Sequence, residues 1–411
     1  MKNANPHSRG NRVIIMNNVV IVAACRTPIG KLGGAFKTTS ALDLTIPVMR
    51  ELISRAGIQG GQIEDVIWGC NYQKTNGENN LARVAAVKSG LPTSVPGITV
   101  HRNCTSSMSS VQLAYYQIKA GEADVIMAGG TDSMSCAQYT VDKLRYGANI
   151  GHAELRDSMW DSLTNLGIGP AMGITAENLA GMHSIGRKEQ DELALLSQKR
   201  ALNAIDKGLF RGEIVPVQLK TKKGSVTVDT DEHPRRDTTM ESLAALSPSF
   251  KQGGTVTAGN ASGINDGSAG VIMMSEKKAV ELGAPVLARI VSTATTGVDP
   301  EIMGIGPVSA SKRALAKAGI ALDEIQLIEL NEAFAAQYLA CEKELGLDRE
   351  ITNVNGSGIS LGHPVGASGV RLIVTLIHEM KRRNVSKGLA ALCAGGGMGT
   401  AVVLERQITG E

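Results

Sequence analysis

Cys104 is the first residue of the 411-residue sequence whose type and position suggest chemistry. An apolar run ends near Val100, and a helical pattern follows in which Met108 and Val111 share one buried face. The pattern places Cys104 at a helix N-terminus, where the helix dipole and the free N–H groups are expected to stabilise a thiolate and lower its pKa. Taken alone, the motif favours the alternative of a small cysteine that only packs.

Two glycine-rich segments supply further reactive groups. Residues 355–369 contain five glycines, and His363 lies within them. The spacing GSGISLG misses the dinucleotide fingerprint by one residue, so the segment does not predict nucleotide phosphate binding. The alternative is a structural histidine bonded to a carbonyl, although the glycine-rich setting favours a chemical role for His363 more than an ordinary position would. Cys393 ends a second apolar run, and Gly395–Gly397 follow it. Their N–H groups can form an anion-stabilising nest.

Two more loops are dense in polar groups. In one, an apolar strand-like run ends at Leu330, and Asn331 and Glu332 open a helical pattern. The other, residues 257–267, consists of small and hydrogen-bonding residues. The second segment can be read as a binding loop or as a plain turn.

The elements that must position these loops alternate between strand-like and helical patterns. Several strand-like runs are continuously apolar, as expected of strands buried on both faces. The runs are Val19–Ala24, Val66–Trp68, Val125–Met127, Leu327–Leu330, Leu389–Leu392 and Thr400–Leu404. The alternation predicts an α/β fold with covered sheets.

An internal echo predicts two duplicated halves. Residues 50–68 and 313–328 both read as a helix ending in Ala-Gly-Ile, an acidic turn and an apolar strand. Residues 104–130 and 363–397 share a loop, a helix, a strand and an Ala-Gly-Gly sequence. The alternative is that any two α/β units look alike at this level.

We divide the chain accordingly. The division comprises an N-terminal extension over 1–16, an N-terminal half over 17–134 and 265–284, an inserted loop domain over 135–264 and a C-terminal half over 285–411. The insert has a weak strand pattern and several arginines, which is typical of a binding excursion.

Composition excludes several classes of protein. Lys plus Arg is 42 and Asp plus Glu is 39, a net charge of +3, which supports neither nucleic-acid nor membrane-surface binding. The six cysteines lack zinc-site spacing, so we predict no metal, and their scatter fits a reducing, cytoplasmic compartment. No 18-residue apolar run exists, so no transmembrane helix is expected. Residues 1–15 read as a loose extension, with an organelle-targeting segment as the alternative.

Taken together, the motifs resemble the thiolase family over nearly the whole chain from residue 17 onward. The matching segments are VVIVAACRTPIGKLGG (19–34), RNC (102–104), MGITAEN (172–178), EIVPV (213–217), TAGNASGINDG (257–267), NEAFA (331–335), GHPVGASG (362–369) and CAGGGMG (393–399). The resemblance implies a five-layered αβαβα sandwich built from two duplicated halves with an inserted loop domain.

The resemblance also implies a catalytic role for five residues. Cys104 would carry the acyl group as a thioester, and His363 would activate its thiol. Asn331 would position a water that helps hold the thioester oxygen. Cys393 would be the acid and base at the α-carbon. The N–H groups of Cys104 and Gly395 would form an oxyanion hole.

Coenzyme A would be the substrate carrier, and no metal or redox cofactor is implied. The resemblance places the CoA nucleotide near Arg235 and Ser242 and the pantetheine near Ser262. For Arg235 and Arg236 a solvated surface pair is an equal alternative. The other implied substrate contacts are Ala258, Phe250, Met172 and Phe334. The implied assembly is a homodimer or homotetramer, with an additional partner subunit as a variant.

Departures from the family pattern bear on acyl specificity. Ser107 and Ser357 replace glycines, and Ala171 replaces a larger polar residue. All three are expected near the acyl pocket, where the small Ala171 would admit a longer, branched or aromatic acyl chain. Two rival functions remain: a β-ketoacyl synthase-like condensing enzyme, and a non-catalytic or partner-dependent subunit that binds acyl-CoA.

Overall fold

The computed structural model describes residues 17–147, 150–222 and 224–407. Its strands are β1 (Val19–Arg26), β2 (Gly30–Lys31), β3 (Asp65–Gly69), β4 (Ile98–Val100), β5 (Val125–Ser133), β6 (Tyr139–Val141), β7 (Leu155–Asp157), β8 (Val217–Thr221), β9 (Gly224–Val228), β10 (Asn265–Ser275), β11 (Ala288–Gly297), β12 (Leu327–Leu330), β13 (Lys387–Ala394) and β14 (Met398–Glu405). Its helices are α1 (Ala41–Ala56), α2 (Thr75–Glu78), α3 (Leu81–Ser89), α4 (Ser106–Ala120), α5 (Ser158–Thr164), α6 (Met172–Met182), α7 (Arg187–Asp206), α8 (Met240–Ala244), α9 (Glu276–Leu282), α10 (Gly306–Ala318), α11 (Ala335–Leu345), α12 (Gly358–Leu361) and α13 (Ser368–Arg383). Among the described helices, none is both long and apolar enough to cross a membrane.

The strands follow one order in each of two half-sheets. One half-sheet runs β1-β10-β5-β3-β4, and the other runs β11-β14-β13-β12. In both, the first two pairings are antiparallel and the next is parallel. A parallel bridge between Ile328 and Thr352 stands where the first half has β4. The half-sheets meet where β1 pairs with β11 over Val19–Ile21.

Helices cover both half-sheets in five layers. Helices α1 and α3 pack on the outer face of the first half-sheet, and α10 packs on the outer face of the second. Helices α4 and α13 lie between the half-sheets, and their apolar residues form one buried cluster with strands of both. The layers therefore run helix, sheet, helix, sheet, helix, and the predicted five-layered sandwich is confirmed.

The two halves match even in the turns at the ends of corresponding helices. Helix α1 ends at Gly57 and α10 at Gly319, and both glycines have φ 66. A left-handed residue is favourable there only for glycine or asparagine, because other side chains strain it. A 3-10 turn follows in each half and leads into β3 or β12. The six apolar runs all lie within strands, as predicted.

The segment between β5 and β10 stands apart from this repeat. It contains the hairpins β6–β7 and β8–β9 and four helices, α5 to α8. The longest of these, α7, packs against α11 and α12 of the second half. The boundaries at 135 and 264 stay predictions, and the predicted extension over 1–16 lies outside the described residues.

Candidate active site

Cys104 lies in the sharp turn between β4 and α4. Asn103, just before it, has φ 48, a left-handed conformation that asparagine tolerates better than most residues. The Ser106 N–H donates to the Asn103 carbonyl over 3.0 Å, and the Ser106 hydroxyl accepts the Arg102 N–H over 2.8 Å. These bonds fix the backbone on either side of Cys104 at the start of α4.

Asp132, near the end of β5, holds two loops of the site together. Its carboxylate accepts the N–H groups of Asn71 (2.8 Å), Tyr72 (3.1 Å) and Gly366 (2.5 Å). The Asn71 side-chain amide also donates to it over 3.0 Å. Burial raises the pKa of Asp132, and these donors lower it. One carboxylate thus ties the loop after β3 to the loop that contains His363.

The loop of Gly395 closes over Cys104. The Asn103 side chain donates to the Gly395 carbonyl over 2.7 Å, and the N–H groups of Gly395 and of Cys104 itself hydrogen-bond to the Cys104 sulfur. A Cβ atom at Gly395 would stand 2.8 Å from Leu166 Cδ1 and 3.0 Å from the Met172 sulfur, so a larger residue there would displace these two side chains. The Cys393 thiol is close enough to Cys104 to interact electrostatically with it. The structure therefore brings the two predicted thiols together.

The expected lowering of the Cys104 pKa is wrong. Burial raises the pKa of this thiol to about 11, and the two N–H groups offset only part of that increase. Desolvation outweighs the helix N-terminus because the thiolate would lose its hydration inside the fold. Burial likewise raises the pKa of Cys393 well above its ordinary value. Both sulfurs are thiols at neutral pH.

His363 is fully enclosed and oriented by Ser368. Its backbone N–H donates to the Asn265 side chain over 2.9 Å, and its Nδ1 lies 2.6 Å from the Ser368 hydroxyl. That hydroxyl donates its hydrogen to the Pro364 carbonyl over 2.8 Å. Nδ1 must then carry the ring proton, which leaves a lone pair on Nε2. Burial, with a smaller effect of Arg371, lowers the pKa of His363 to about 4.

Acidification is expected to remove the stability that depends on neutral His363. Its folded pKa of about 4 lies below 6.5, so between these values the unfolded chain binds more protons and the free energy of unfolding falls as the pH falls. His363→Asn removes this linkage. From about pH 7 to about pH 4.5, denaturant titrations should show the stability advantage of parent over variant shrinking by on the order of 3 kcal/mol. A pH-independent difference would contradict a neutral buried imidazole.

Unpartnered polar atoms mark two of the predicted catalytic residues. Among the described residues, His363 Nε2 and both amide atoms of the Asn331 side chain are buried and have no hydrogen-bond partner. Asn331 is held through its backbone N–H, which donates to the Ala391 carbonyl over 3.0 Å. Buried polar atoms of native proteins are normally paired, so such exceptions point to a ligand.

The predicted substrate contacts fall into two groups. In the loop of residues 257–267, the Ser262 N–H donates to the Ala333 carbonyl over 2.9 Å. The rings of Phe250 and Phe334 meet edge to face with centroids 6.0 Å apart. Met172 begins α6 beside Gly395.

The second group lies at the surface. Arg235, Ser242 and Ala258 are all exposed. Arg236 pairs with Asp206 over 2.5 Å, whereas within the described ranges the Arg235 side chain forms no ion pair. The two arginines are therefore not equivalent, and Arg235 is the one available to an anion.

A cavity of about 300 Å³ opens beside Cys104. It is formed by the loop after β3, the turn before α4, the segment from Gln138 to Met172 and two residues of the second half. The lining residues are Asn71, Tyr72, Gln73, His101, Asn103, Cys104, Gln138, Thr140, Ser158, Ser162, Leu163, Leu166, Met172, Val365 and Gly395.

The three departures from the family pattern do not line this cavity, and their position near the acyl pocket stays a prediction. Ser107 instead accepts the Val370 N–H over 3.1 Å between α4 and α13. The Ser357 hydroxyl donates to the Leu330 carbonyl over 3.2 Å. Ala171 precedes α6 as its N-cap residue. The two serine side chains therefore join neighbouring elements of the fold.

The fold is a duplicated five-layered α/β sandwich, and it brings together two loops that each contain a cysteine. This combination is typical of acyltransferases that work through a thiol. Residues 19–277 match the thiolase N-terminal domain and residues 284–406 the thiolase C-terminal domain. The chain belongs to the thiolase family and is an acyltransferase.

Individual relatives agree with this assignment. An acetyl-CoA acetyltransferase of Pseudomonas aeruginosa is 51% identical over 95% of this chain and 100% of its own length. The crystal structure of the Bacillus anthracis acetyl-CoA acetyltransferase has a TM-score of 0.93 at 49% identity, covering 95% of this chain and 99% of its own. Human mitochondrial 3-ketoacyl-CoA thiolase in complex with CoA has a TM-score of 0.92 at 43% identity, covering 95% and 98%.

Sequence reasoning missed several residues that build the site. Asp132, Ser368 and Tyr72 were not singled out. Ser368 lies inside the GHPVGASG segment, so its closeness to His363 was a usable signal. Asp132 and Tyr72 gave no such signal in the sequence. They stand in no recognisable motif, and only the order of the strands in the sheet brings them to the site.

Proposed function

We propose that the chain transfers acyl groups between Cys104 and coenzyme A. The reaction would be thiolytic cleavage of a 3-oxoacyl-CoA or the reverse Claisen condensation. The observation that supports this most is a half-buried Cys104 thiol, which receives N–H groups from Gly395 and from its own backbone, together with the buried Cys393 thiol. The relatives reported above are named acetyl-CoA acetyltransferases and a 3-ketoacyl-CoA thiolase, and these names describe reactions of this kind.

Cys104 would be the nucleophile and His363 its base. With a thiol pKa of about 11 and an imidazole pKa of about 4, the resting pair is uncharged. The proton would therefore move to Nε2 as the sulfur attacks the carbonyl, not before. A buried neutral pair avoids the desolvation penalty of a standing thiolate–imidazolium ion pair.

Cys393 would act at the α-carbon. In cleavage, the bond between Cα and Cβ of the 3-oxoacyl-CoA breaks, the acyl group stays on Cys104, and Cys393 protonates the departing acetyl-CoA enolate. A second CoA thiol would then give its proton to Cys393 and take the acyl group, and the proton held by His363 would return to the Cys104 sulfur. A buried thiol of high pKa suits this role because it stays protonated until the carbanion forms.

Two sets of donors would stabilise the oxygen anions. The N–H groups of Cys104 and Gly395 would bind the oxyanion that forms at the acyl carbonyl. His363, once protonated, and Asn331 acting through a water would bind the thioester oxygen, which gives the unpartnered Asn331 amide a partner.

CoA would lie across the segment 135–264. Arg235, exposed and without an ion-pair partner in the described part of the chain, would bind phosphate, with Ser242 nearby. Ser262, Ala258, Phe250, Phe334 and Met172 would contact the pantetheine and thioester. A homodimer or homotetramer and a cytoplasmic location stay predictions.

Intact-mass measurement tests this proposal. Incubation with acetyl-CoA should add one acetyl group per chain, and peptide mapping should place it on Cys104. A β-ketoacyl synthase-like enzyme would require malonyl thioesters for condensation, whereas this chain should cleave acetoacetyl-CoA with CoA. A protein that binds acyl-CoA without becoming acylated would be the non-catalytic alternative.

A further inference from the structure

Asp132 joins the two halves of the fold at the predicted catalytic loops. It lies near the end of β5 in the first half, and its side chain is fully buried. Its carboxylate accepts the Gly366 N–H over 2.5 Å, and Gly366 belongs to the loop of the second half that also contains His363. A Cβ atom at Gly366 would stand 2.7 Å from a carboxylate oxygen, so the loop and the carboxylate are in direct contact.

Asn71 carries this connection to the turn that contains Cys104. The Asp132 carboxylate accepts the Asn71 backbone N–H over 2.8 Å and its side-chain amide over 3.0 Å. The same amide donates to the Asn103 carbonyl over 3.3 Å, and its oxygen accepts the Ser106 hydroxyl over 3.1 Å. Because Asn103 and Ser106 stand on either side of Cys104, one side chain links the carboxylate to the turn of the nucleophile.

The donors around Asp132 require a carboxylate. Burial raises its pKa, and the groups that offset this are neutral N–H donors rather than cations. Four such donors converge on its two oxygens, from the backbones of Asn71, Tyr72 and Gly366 and from the Asn71 amide. An asparagine at this position offers one acceptor oxygen, and its own N–H groups would face the remaining donors. Loss of the charge therefore breaks bonds to at least one of the two loops.

Asp132 reaches the reacting groups only through other residues. It does not line the cavity at Cys104. Within the described residues, its hydrogen-bond partners are Cys70, Asn71, Tyr72 and Gly366. The halves also stay in contact without it, because the Val370 N–H of α13 donates to the Ser107 hydroxyl of α4 over 3.1 Å. Removal of the charge is therefore expected to shift the two loops and to preserve the fold.

We propose that Asp132 is a positioning residue for acyl transfer. By holding one loop of each half, it sets the separation between the Cys104 sulfur and His363 Nε2. The proposal rests on the proposed function. In the step concerned, the sulfur gives its proton to Nε2 and bonds to the thioester carbon. The bond from that carbon to the CoA sulfur breaks, and CoA leaves as its thiol, which balances the proton that Cys104 lost. A misplacement of about 1 Å slows such a step by about 10²-fold.

Asp132→Asn tests the proposal because it keeps the size of the side chain and removes the charge. Acylation by acetyl-CoA is followed by intact mass over a range of acetyl-CoA concentrations. The saturating rate should fall by about 10- to 10²-fold. The half-saturating concentration should stay within about threefold of the parent, because no hydrogen-bond partner of Asp132 is a proposed CoA contact.

Glu78→Gln is the matched control. Glu78 is also a buried carboxylate of the first half, and it accepts the N–H groups of Leu42 and Lys74, each over 3.2 Å. It does not line the cavity at Cys104. Its replacement removes a charge that joins two segments away from the predicted catalytic loops, so its saturating acylation rate should stay within about threefold of the parent.

Alkylation of Cys104 by iodoacetamide separates positioning from a general loss of structure. Burial is the main cause of the raised Cys104 pKa, and the charge of Asp132 adds to it. Removal of that charge makes the thiolate easier to form. At about pH 9 solvent base supplies the thiolate, so alkylation does not depend on His363. The Asp132→Asn protein should therefore be alkylated at least as fast as the parent, although it is acylated more slowly.

The outcomes separate this proposal from the proposed function. A parent protein that acetyl-CoA does not acylate would overturn the proposed function itself. An Asp132→Asn protein acylated within about threefold of the parent rate would leave that function standing and overturn the positioning role. Acylation and alkylation that fall by the same factor would also overturn it, because the sulfur itself would then be less reactive.

Asn71→Ala provides a second test, which decides the matter if Asp132→Asn does not fold. It removes the amide between the carboxylate and the Asn103 carbonyl and leaves the backbone bond to Asp132 in place. Its saturating acylation rate should fall by about tenfold, with alkylation at least as fast as in the parent. An Asn71→Ala protein with a native circular dichroism spectrum and the parent rate of acylation would contradict a link from Asp132 to the Cys104 turn.

Discussion

Cys104→Ser lowers the turnover of acetoacetyl-CoA with CoA by roughly 10⁴-fold or more. A serine hydroxyl is a far weaker nucleophile than a thiol at neutral pH, and His363, whose pKa is about 4, is too weak a base to remove its proton. The substitution keeps nearly the same shape, so the fold should be retained. The measurement is steady-state cleavage, followed by the loss of acetoacetyl-CoA, together with intact mass after incubation with acetyl-CoA.

Cys136→Ser is the matched control for this loss. Cys136 is half-buried, and its thiol donates to the Lys37 and Thr39 carbonyls away from the cavity at Cys104. Its replacement by serine should change turnover less than about threefold. Full turnover in the Cys104→Ser protein, or an acyl adduct mapped to another cysteine, would overturn covalent catalysis at Cys104.

The fold could be predicted largely because its signals are local. The continuous apolar runs and the paired Ala-Gly-Ile helix ends each lie within about twenty residues, and they survive in the structure as β3, β12 and the turns before them. The first and last residues of the insert could not be predicted in this way, because no change of composition marks a single position between β5 and β10.

The site was only partly readable for physical reasons. A glycine-rich loop can be recognised from the composition of a short segment, so Cys393 and His363 could be predicted from the sequence. Asp132 could not, because its partners Asn71, Tyr72 and Gly366 come from loops that meet only after the sheet has formed. The pKa of Cys104 was predicted in the wrong direction because a helix start is visible in a sequence whereas the depth of burial is not.

The cavity beside Cys104 illustrates the same limit. A family pattern draws attention to substituted positions, and Ala171, Ser107 and Ser357 were the visible ones. The cavity wall is built from Leu163, Leu166 and other unremarkable residues. Their meeting place depends on how the segment before α6 folds back over the turn at Cys104, and no short-range pattern encodes that.

Cys393→Ala should separate the two halves of the reaction. Acylation of Cys104 by acetyl-CoA does not require a proton at the α-carbon, so the adduct should still form, at a rate within about tenfold of the parent. Cleavage of acetoacetyl-CoA, and exchange of the α-protons of acetyl-CoA into deuterated water, should both fall by about 10²- to 10⁴-fold. The measurements are intact mass for the first step and proton NMR for the exchange.

Cys341→Ala controls for the loss of a buried sulfur. Cys341 on α11 is fully buried and donates to the Gly304 carbonyl over 3.2 Å, so its removal leaves a cavity similar to that at Cys393 but takes no group from the proposed chemistry. The exchange and cleavage rates of Cys341→Ala should stay within about threefold of the parent. The free energy of unfolding should fall by a similar amount, on the order of 1 kcal/mol, in both variants. Exchange that survives in Cys393→Ala would mean that another base reaches the α-carbon. Because His363 already holds its Nδ1 proton against Ser368 and offers only Nε2, that outcome would transfer the role to His363 and require one imidazole to serve both steps.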